Sequence, residues 1–477
     1  EERLLKLGFW WRVYSIAALV VASLVQEPFD SSAELLSLTL DPRNEFGLLA
    51  GSWSWLKCFI RWDTIYFLTM ASPEMELRLG TDDAVIVKEA VAKARGYAYE
   101  QMLAFQPGIV ALLRGLGYLS LGNTSRLYGP VPLVWDPARS ILLATILANL
   151  ATLAAPLLLY RLTVLHTRSS RLGIVASSLA ILAPSSGTTL SSPTPEPYFN
   201  FFALLGMLSV AQRPQGRSRA RRTFGRLFAA LCFAAATAFR ANGVALAGFL
   251  LWDLVWVKDS DRVRTKPSRA SLLRPIAVLF EAAILIPLSV APFILTQMWA
   301  YGRFCRAGLA KRPWCDDPLP GVYTFVQEHY WNVGLFRYWE IGQLPNFVLA
   351  APILLLSGYG MKRYATGKLG SISAQIIALG RPDPGSSAMV EEFRDAASLV
   401  PHLVLNLFLT LTLLVASHVQ IALRFSSPGG MPFVWWGAAC LYDSGPTSWS
   451  CKRWLLTYLV LYHAIAIVLY AGFYPPA

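Results

Sequence analysis

Residues 139–162 read RSILLATILANLATLAAPLLLYRL. Between Arg139 and Arg161 there are 21 residues without a charged side chain, and an α-helix needs about 20 such residues to cross the hydrocarbon core of a bilayer. Comparable stretches occur at 8–25, 172–190, 198–212, 227–240, 243–257, 273–298, 345–361, 399–424 and 454–472. The block 227–257 is too long for one crossing, and Arg240–Gly243 in its middle reads as a tight turn between two short spans. Residues 104–122 and 431–443 are apolar but ambiguous and read as embedded only partway. Over the whole chain of 477 residues, 55% are hydrophobic and 15% charged, with a mean hydropathy of +0.45, whereas a soluble domain carries about 25% charged residues. The pattern implies an all-α polytopic membrane protein with about 10–11 transmembrane helices, folded as one membrane domain over 1–477. The apolar run after Arg3 and Lys6 lacks a small-residue cleavage motif and reads as an uncleaved first span.

The net charge of +13 does not point to nucleic acid, because the basic residues cluster in short connections between spans. Arg213, Arg217, Arg219, Arg221, Arg222 and Arg226 occupy one, and Lys258, Arg262, Arg264, Lys266, Arg269 and Arg274 another. Arg161, Arg168 and Arg171 form a third. Such clusters stay on the cytoplasmic side. Alternation then places 26–138, 191–197, 240–243, 299–344 and 425–453 on the far side, a placement that Lys452 and Arg453 fit poorly. Residues 26–138 read as a first far-side loop region with amphipathic and partly embedded helices, 299–344 as a second loop, and 362–398 as a cytoplasmic linker. A channel or pump carries its ionisable residues within spans. Here Asp253 and Glu281 are nearly the only ones, and the polar chemistry lies in the far-side loops and span ends.

In the first loop, Arg61-Trp62-Asp63 sits between two apolar stretches. An Asp among aromatics is suited to general-base work, and the neighbouring Arg to orienting it or to holding phosphate. An interfacial amphipathic helix with an incidental ion pair gives the same pattern. Glu100 reads as a second carboxylate at this interface or as a solvated residue before a dipping helix. The second loop combines Arg306, Lys311, Arg312, Pro313-Trp314-Cys315 and Tyr323 with His329-Tyr330-Trp331-Asn332-Val333-Gly334 and Arg337. Its cations lie where charge retention does not place them, which suits a phosphate-bearing lipid, while its aromatics suit sugar faces and a bilayer interface equally. Cys305 and Cys315 lie ten residues apart in this loop and are suited to closing a disulfide. Arg240 and Asn242 read as phosphate or sugar ligands, or as plain Asn-Gly turn chemistry. The six cysteines show no CxxC spacing, and Asp82-Asp83 and Asp316-Asp317 read as solvated loop charges, so no metal site is assigned and metal dependence stays open. Asn123-Thr124-Ser125 is a glycosylation sequon.

Four of these stretches resemble the GPI mannosyltransferase 2 family: Arg61–Phe67, Tyr99–Pro107, Phe239–Gly243, and Pro313-Trp314-Cys315 through His329–Gly334 to Pro345-Asn346-Phe347. The resemblance implies a GT-C type glycosyltransferase of the endoplasmic reticulum membrane, with its active site on the lumenal face. The implied donor is dolichyl-phosphate mannose and the implied acceptor a singly mannosylated GPI precursor, joined by a new α-1,6 linkage with inversion. It further implies a small accessory membrane subunit as a partner. On this reading Asp63 is the base and Glu100 its helper. Arg240, Arg61, Arg337 and His329 stabilise the departing phosphate, and Trp62, Asn242, Trp331 and Asn332 line the donor. Family members often carry His where this chain has Tyr66 and Gln101, so no histidine role transfers to those positions. Competing readings are another lumenal GT-C mannosyltransferase and a transporter of lipid-linked sugars.

Overall fold

The computed structural model describes residues 1–41, 44–48, 50–73, 100–119, 134–212, 219–255, 274–306, 312–365, 397–443 and 448–474. Asp82-Asp83, the sequon at 123–125 and residues 366–396 of the linker lie outside the described residues. Among those described the chain is helical, with no β-strand. Among the described residues five helices are long and apolar enough to cross a membrane singly.

Helix α1 (Glu2–Val25) starts at the end of the bundle that carries the basic connections, where Glu1 pairs with Arg161. It finishes at the opposite, far end, beside the last described residues: Phe29 N–H donates to the Gly472 carbonyl over 2.9 Å. Short helices α2 (Ser32–Leu40), α3 (Asp63–Ala71) and α4 (Pro107–Gly117) follow at the far end. With α1 and the start of α5 (Pro137–Thr167) they enclose one apolar core containing Leu19, Leu56, Phe67, Ile109 and Ile141. The ambiguous segment 104–122 thus contributes the helix α4, buried through Ile109, Val110 and Leu113.

α6 (Ser170–Ile181) runs back from the basic end but covers only 12 residues. The sequence suggests a span to residue 190, yet the helix stops before Ala183-Pro184, because proline offers no N–H and disfavours helix at the residue before it. Residues 183–194 form a buried, largely irregular stretch rich in Ser and Thr. Non-helical backbone at membrane depth is tolerated only where protein satisfies it, and here it does. Thr152 Oγ1 donates to the Leu190 carbonyl, Asn149 Nδ2 to that of Ser191, and Ser191 Oγ to that of Ser186. Arg12, buried in α1, donates to Ser191 Oγ at 3.0 Å.

α7 (Pro195–Ala211) returns to the basic end, and α8 (Arg219–Phe239) and α9 (Ala247–Val255) form the expected pair around a tight turn, here a 3-10 turn over Ala241–Leu246. α10 (Arg274–Cys305) spans 32 residues and projects at the far end toward the short helix α11 (Val322–His329). Asp253 and Glu281 do not face each other along a transport path. Both are tied to Arg226 of the basic cluster, each at 2.7 Å.

α12 (Leu344–Ala365), α13 (Val400–Val415), α14 (Pro432–Asp443) and α15 (Ser448–Ala471) complete the bundle. The placement of 425–453 at the far end needs correction. Residues 426–431 turn inside the bundle, and α14, fully buried from Pro432 to Cys440, descends to the basic end. There Asp443 accepts from Arg171, and Lys452 lies 5.2 Å over the Tyr442 ring. Lys452 and Arg453 therefore sit with the other basic residues, and α15 ends at the far end.

Close approach of α12 and α14 depends on two glycines. A Cβ at Gly360 would lie 2.2 Å from the Phe433 carbonyl oxygen, and one at Gly437 2.6 Å from that of Leu356. Gly358, in the same helix, has open space around it. Gly360→Ala is expected to lower thermal stability in detergent by about 1–3 kcal/mol through overpacking. Gly358→Ala is expected to be neutral or stabilising by up to about 1 kcal/mol through helix propensity.

Candidate active site

Asp63 is the first residue of α3, and the backbone is bent sharply to put it there. Trp62 has φ 53° and ψ −124°, a conformation that a bulky side chain rarely adopts. A negative charge in the first turn also suits the helix dipole. Phe67, Leu68, Met70 and Ala71 are fully buried, so α3 is inserted into the far-end core and is not a helix lying on the interface. The Asp63 carboxylate is left about a quarter exposed (27%).

One Asp63 oxygen, Oδ2, lies 2.7 Å from Arg424 Nη2. Arg424 belongs to the helical turn Ala422–Phe425 that precedes the buried residues 426–431. Its Nε donates to Glu196 Oε1 at 2.8 Å, and Arg240 Nη1 donates to the same oxygen at 2.7 Å. Glu196, buried in the first turn of α7, thus holds two guanidinium groups at the apolar bundle's far end. The Arg240 guanidinium also lies 4.5 Å from the Phe425 ring centre. Asp63, Arg424, Glu196 and Arg240 form one continuous chain of charges. Among the described residues Asp63 Oδ1 accepts no hydrogen bond, and Glu196 takes up only one of Arg240's five N–H donors. The arrangement presents an unoccupied carboxylate oxygen next to guanidinium groups with spare donors.

The residues read from sequence divide accordingly. Asp63 and Arg240 meet in this cluster, with Asn242 two residues beyond Arg240 in the same turn. Arg61 does not share their chemistry. Its Nε and Nη2 donate to the Ala471 carbonyl, Nη1 to the Lys57 and Ile60 carbonyls, and Nη2 also to Ser23 Oγ. All five donors are spent on protein atoms, and the group packs 4.7 Å from the Phe473 ring centre, so none remains for phosphate. Trp62, 39% exposed, packs on Phe473. Sequence reasoning missed Glu196 and Arg424. The signal for Glu196 was a lone carboxylate in Pro195-Glu196-Pro197 at the start of an apolar segment, since an ionisable residue at such depth marks function by default.

Glu100 is not a free second carboxylate either. It is 4% exposed and accepts from Arg312 through both oxygens, from Trp314 Nε1 at 3.0 Å and from Tyr330 Oη at 2.8 Å. It ties the first far-end loop to the second. Cys305 and Cys315 are joined by a disulfide with Cα atoms 5.7 Å apart, and Trp314 beside it is fully buried against Leu103 and Ala104. The Trp331 ring rests on Phe105 at 5.5 Å, and its carbonyl accepts from His418 Nε2. His329 stacks on Phe325, Asn332 is an exposed turn residue with φ 51°, and Arg337 pairs with Glu328 at the surface. These three make their contacts within their own loop, not with the Asp63 cluster.

Burial alone would raise the Glu100 carboxyl, but hydrogen bonds from Arg312, Trp314 and Tyr330 outweigh it and hold the group below its ordinary 4.5. With the folded value below the unfolded one, this stabilisation is complete above the unfolded value and is lost as pH falls through the folded one. Hydrogen exchange across 312–330, corrected for intrinsic rates, is expected to be flat above the ordinary carboxyl value and to rise as pH falls below it. Glu100→Gln should raise it already at neutral pH.

The profile of the family described as Mannosyltransferase (PIG-V) matches residues 4–477. A GPI mannosyltransferase 2 of Cryptococcus neoformans is 32% identical over 438 residues, covering 88% of each chain. The human GPI alpha-1,6-mannosyltransferase 2 is 29% identical over 390 residues, covering 75% of this chain and 72% of its own. Among solved structures, the apo oligosaccharyltransferase of Archaeoglobus fulgidus aligns with 97% of this chain and 56% of its own, at 10% identity and a TM-score of 0.43. On the family profile and the relatives' sequences, this chain belongs to the PIG-V mannosyltransferase family.

Proposed function

We propose that this chain is an inverting GT-C type mannosyltransferase that moves mannose from dolichyl-phosphate mannose to the singly mannosylated GPI precursor through an α-1,6 bond. The reaction takes place at the far end of the bundle, which this reading places in the lumen of the endoplasmic reticulum. A small accessory membrane subunit, implied by the family resemblance, belongs to the same proposal. The observation that carries the reading is the Asp63 carboxylate, held through one oxygen by Arg424 and open at the other, beside Arg240.

In the proposed step the acceptor hydroxyl oxygen forms a bond to the anomeric carbon of the donor from the face opposite the phosphate. The anomeric carbon–oxygen bond breaks, and its electron pair leaves on the phosphate oxygen. Asp63 Oδ1 takes the hydroxyl proton as attack proceeds. The leaving phosphate carries its own charge and needs no proton donor. The spare N–H donors of Arg240, supported by Arg424, stabilise the growing negative charge in surroundings where water is scarce. As proposed, these arginines supply the charge stabilisation and no step is assigned to a metal.

Microsomes carrying the chain, given labelled dolichyl-phosphate mannose and the singly mannosylated acceptor, are expected to form an α-1,6-linked product. Asp63→Asn should lower turnover by about 100- to 10,000-fold with membrane insertion intact. Arg240→Met should lower it as well. Full turnover by Asp63→Asn, or a product lacking the α-1,6 linkage, would overturn the reading. A transporter of lipid-linked sugars should be indifferent to Asp63→Asn.

A further inference from the structure

Beside the charged cluster lies a group of neutral amides whose hydrogen-bonding capacity the protein does not use. Gln106 is 3% exposed, yet neither its Nε2 nor its Oε1 has a hydrogen-bond partner among the described residues. Asn242 Oδ1 is likewise buried and unpaired, as are Gln297 Nε2 and Thr64 Oγ1. A buried amide left unpaired is costly, and native interiors hold few of them.

These groups converge on the site already described. Gln106 caps α4. Before it, Phe105 packs on Tyr66 and Phe67 at 5.9 and 5.1 Å, within the first turns of the helix that begins with Asp63. After it, Gly108 lies so close to α8 that a Cβ there would sit 2.6 Å from the Ala238 carbonyl oxygen and 3.1 Å from Phe239 N, next to Arg240. Gln106 is therefore bracketed by the Asp63 helix and the Arg240 turn. Asn242 belongs to that turn, which packs against α10. Gln297 of α10 accepts from Tyr323 N–H through Oε1 at 3.0 Å, leaving its amide nitrogen unused.

The chemistry of a carboxamide selects its ligand. It offers one acceptor oxygen and two N–H donors, which complement a hydroxyl that both donates and accepts. Phosphate diester oxygens only accept, so an amide oxygen would face them unfavourably, whereas the neighbouring arginines suit them. The cluster thus divides into a cationic half and a neutral amide half. We propose that Gln106, with Asn242 and Gln297, forms a subsite that hydrogen-bonds a sugar hydroxyl of the donor or acceptor and sets sugar specificity. This inference rests on the transferase reading above.

The test uses the full-length chain with two substrate series, dolichyl-phosphate donors and GPI-precursor acceptors, each carrying single deoxy positions on its mannose. The unmodified enzyme is expected to discriminate against one deoxy analogue by about 10- to 100-fold in kcat/KM. Gln106→Leu should lower kcat/KM for the natural substrate by a similar factor and should no longer distinguish that analogue. The series in which discrimination vanishes identifies the sugar. If Gln106→Leu retains the full discrimination of the unmodified enzyme in both series, Gln106 reads no hydroxyl and the inference fails. Should Gln106→Leu not fold, Gln297→Met is put through the same comparison with the same criterion. An unmodified enzyme that transfers nothing overturns the transferase reading itself, a result distinct from intact transfer with unchanged discrimination.

Discussion

The far end of this bundle is organised around one oxygen atom. Glu196 Oε1 accepts from both Arg240 and Arg424, and without it Arg240 would lose its counter-charge and Arg424 would keep only Asp63. Breaking a buried pair from one side costs about 3–5 kcal/mol, because the remaining charge has nowhere to go. The carboxylate comes from the start of α7, one arginine from the turn after α8, the other from the turn before α14, and Asp63 from the first loop. Segments separated by up to 361 residues, Asp63 to Arg424, are fixed to one another by charge in a region where apolar packing alone is poorly directional.

Much of this architecture was legible in sequence. Hydropathy found the long apolar helices, the turn at Arg240–Gly243 and the gathering of the described basic clusters at one end of the bundle, and the Arg61-Trp62-Asp63 motif picked out the carboxylate that now stands at the start of α3. The errors have a common cause. Hydropathy averages over roughly a span's length, so it cannot distinguish a crossing helix from a half-length helix followed by irregular chain that the protein itself satisfies. α6 was read as a full crossing for that reason; α14, read as embedded only partway, was left out of the alternation, which put Lys452 and Arg453 at the wrong end. Individual side chains carry a second ambiguity. An arginine in sequence does not show whether its five donors are already spent, as in Arg61, or largely available, as in Arg240. Glu196 and Arg424 escaped notice because each ends or begins an apolar stretch and looked like a boundary residue.

The two far-end loops follow a different logic from the bundle. They are joined by a fully engaged carboxylate, Glu100, and by Trp314, which packs with Leu103 and Ala104 in a small apolar cluster beside a disulfide internal to the second loop. Most of the described aromatic and basic residues of the second loop thus have partners close by in the far-end loops. The residues free to meet a substrate lie deeper, at helix starts and turns.

The clamp made by Arg61 has a consequence for how the chain is made. Its guanidinium is buried, and two of its hydrogen bonds go to the Ala471 carbonyl, 410 residues later. During synthesis the first loop is therefore complete long before this partner leaves the ribosome, and until α15 inserts that arginine lacks two of its five hydrogen bonds. A nascent or truncated chain exposes a charged, unsatisfied group beside the segment that carries Asp63. The segment that carries Asp63 thus reaches its full set of contacts only once α15 is in place.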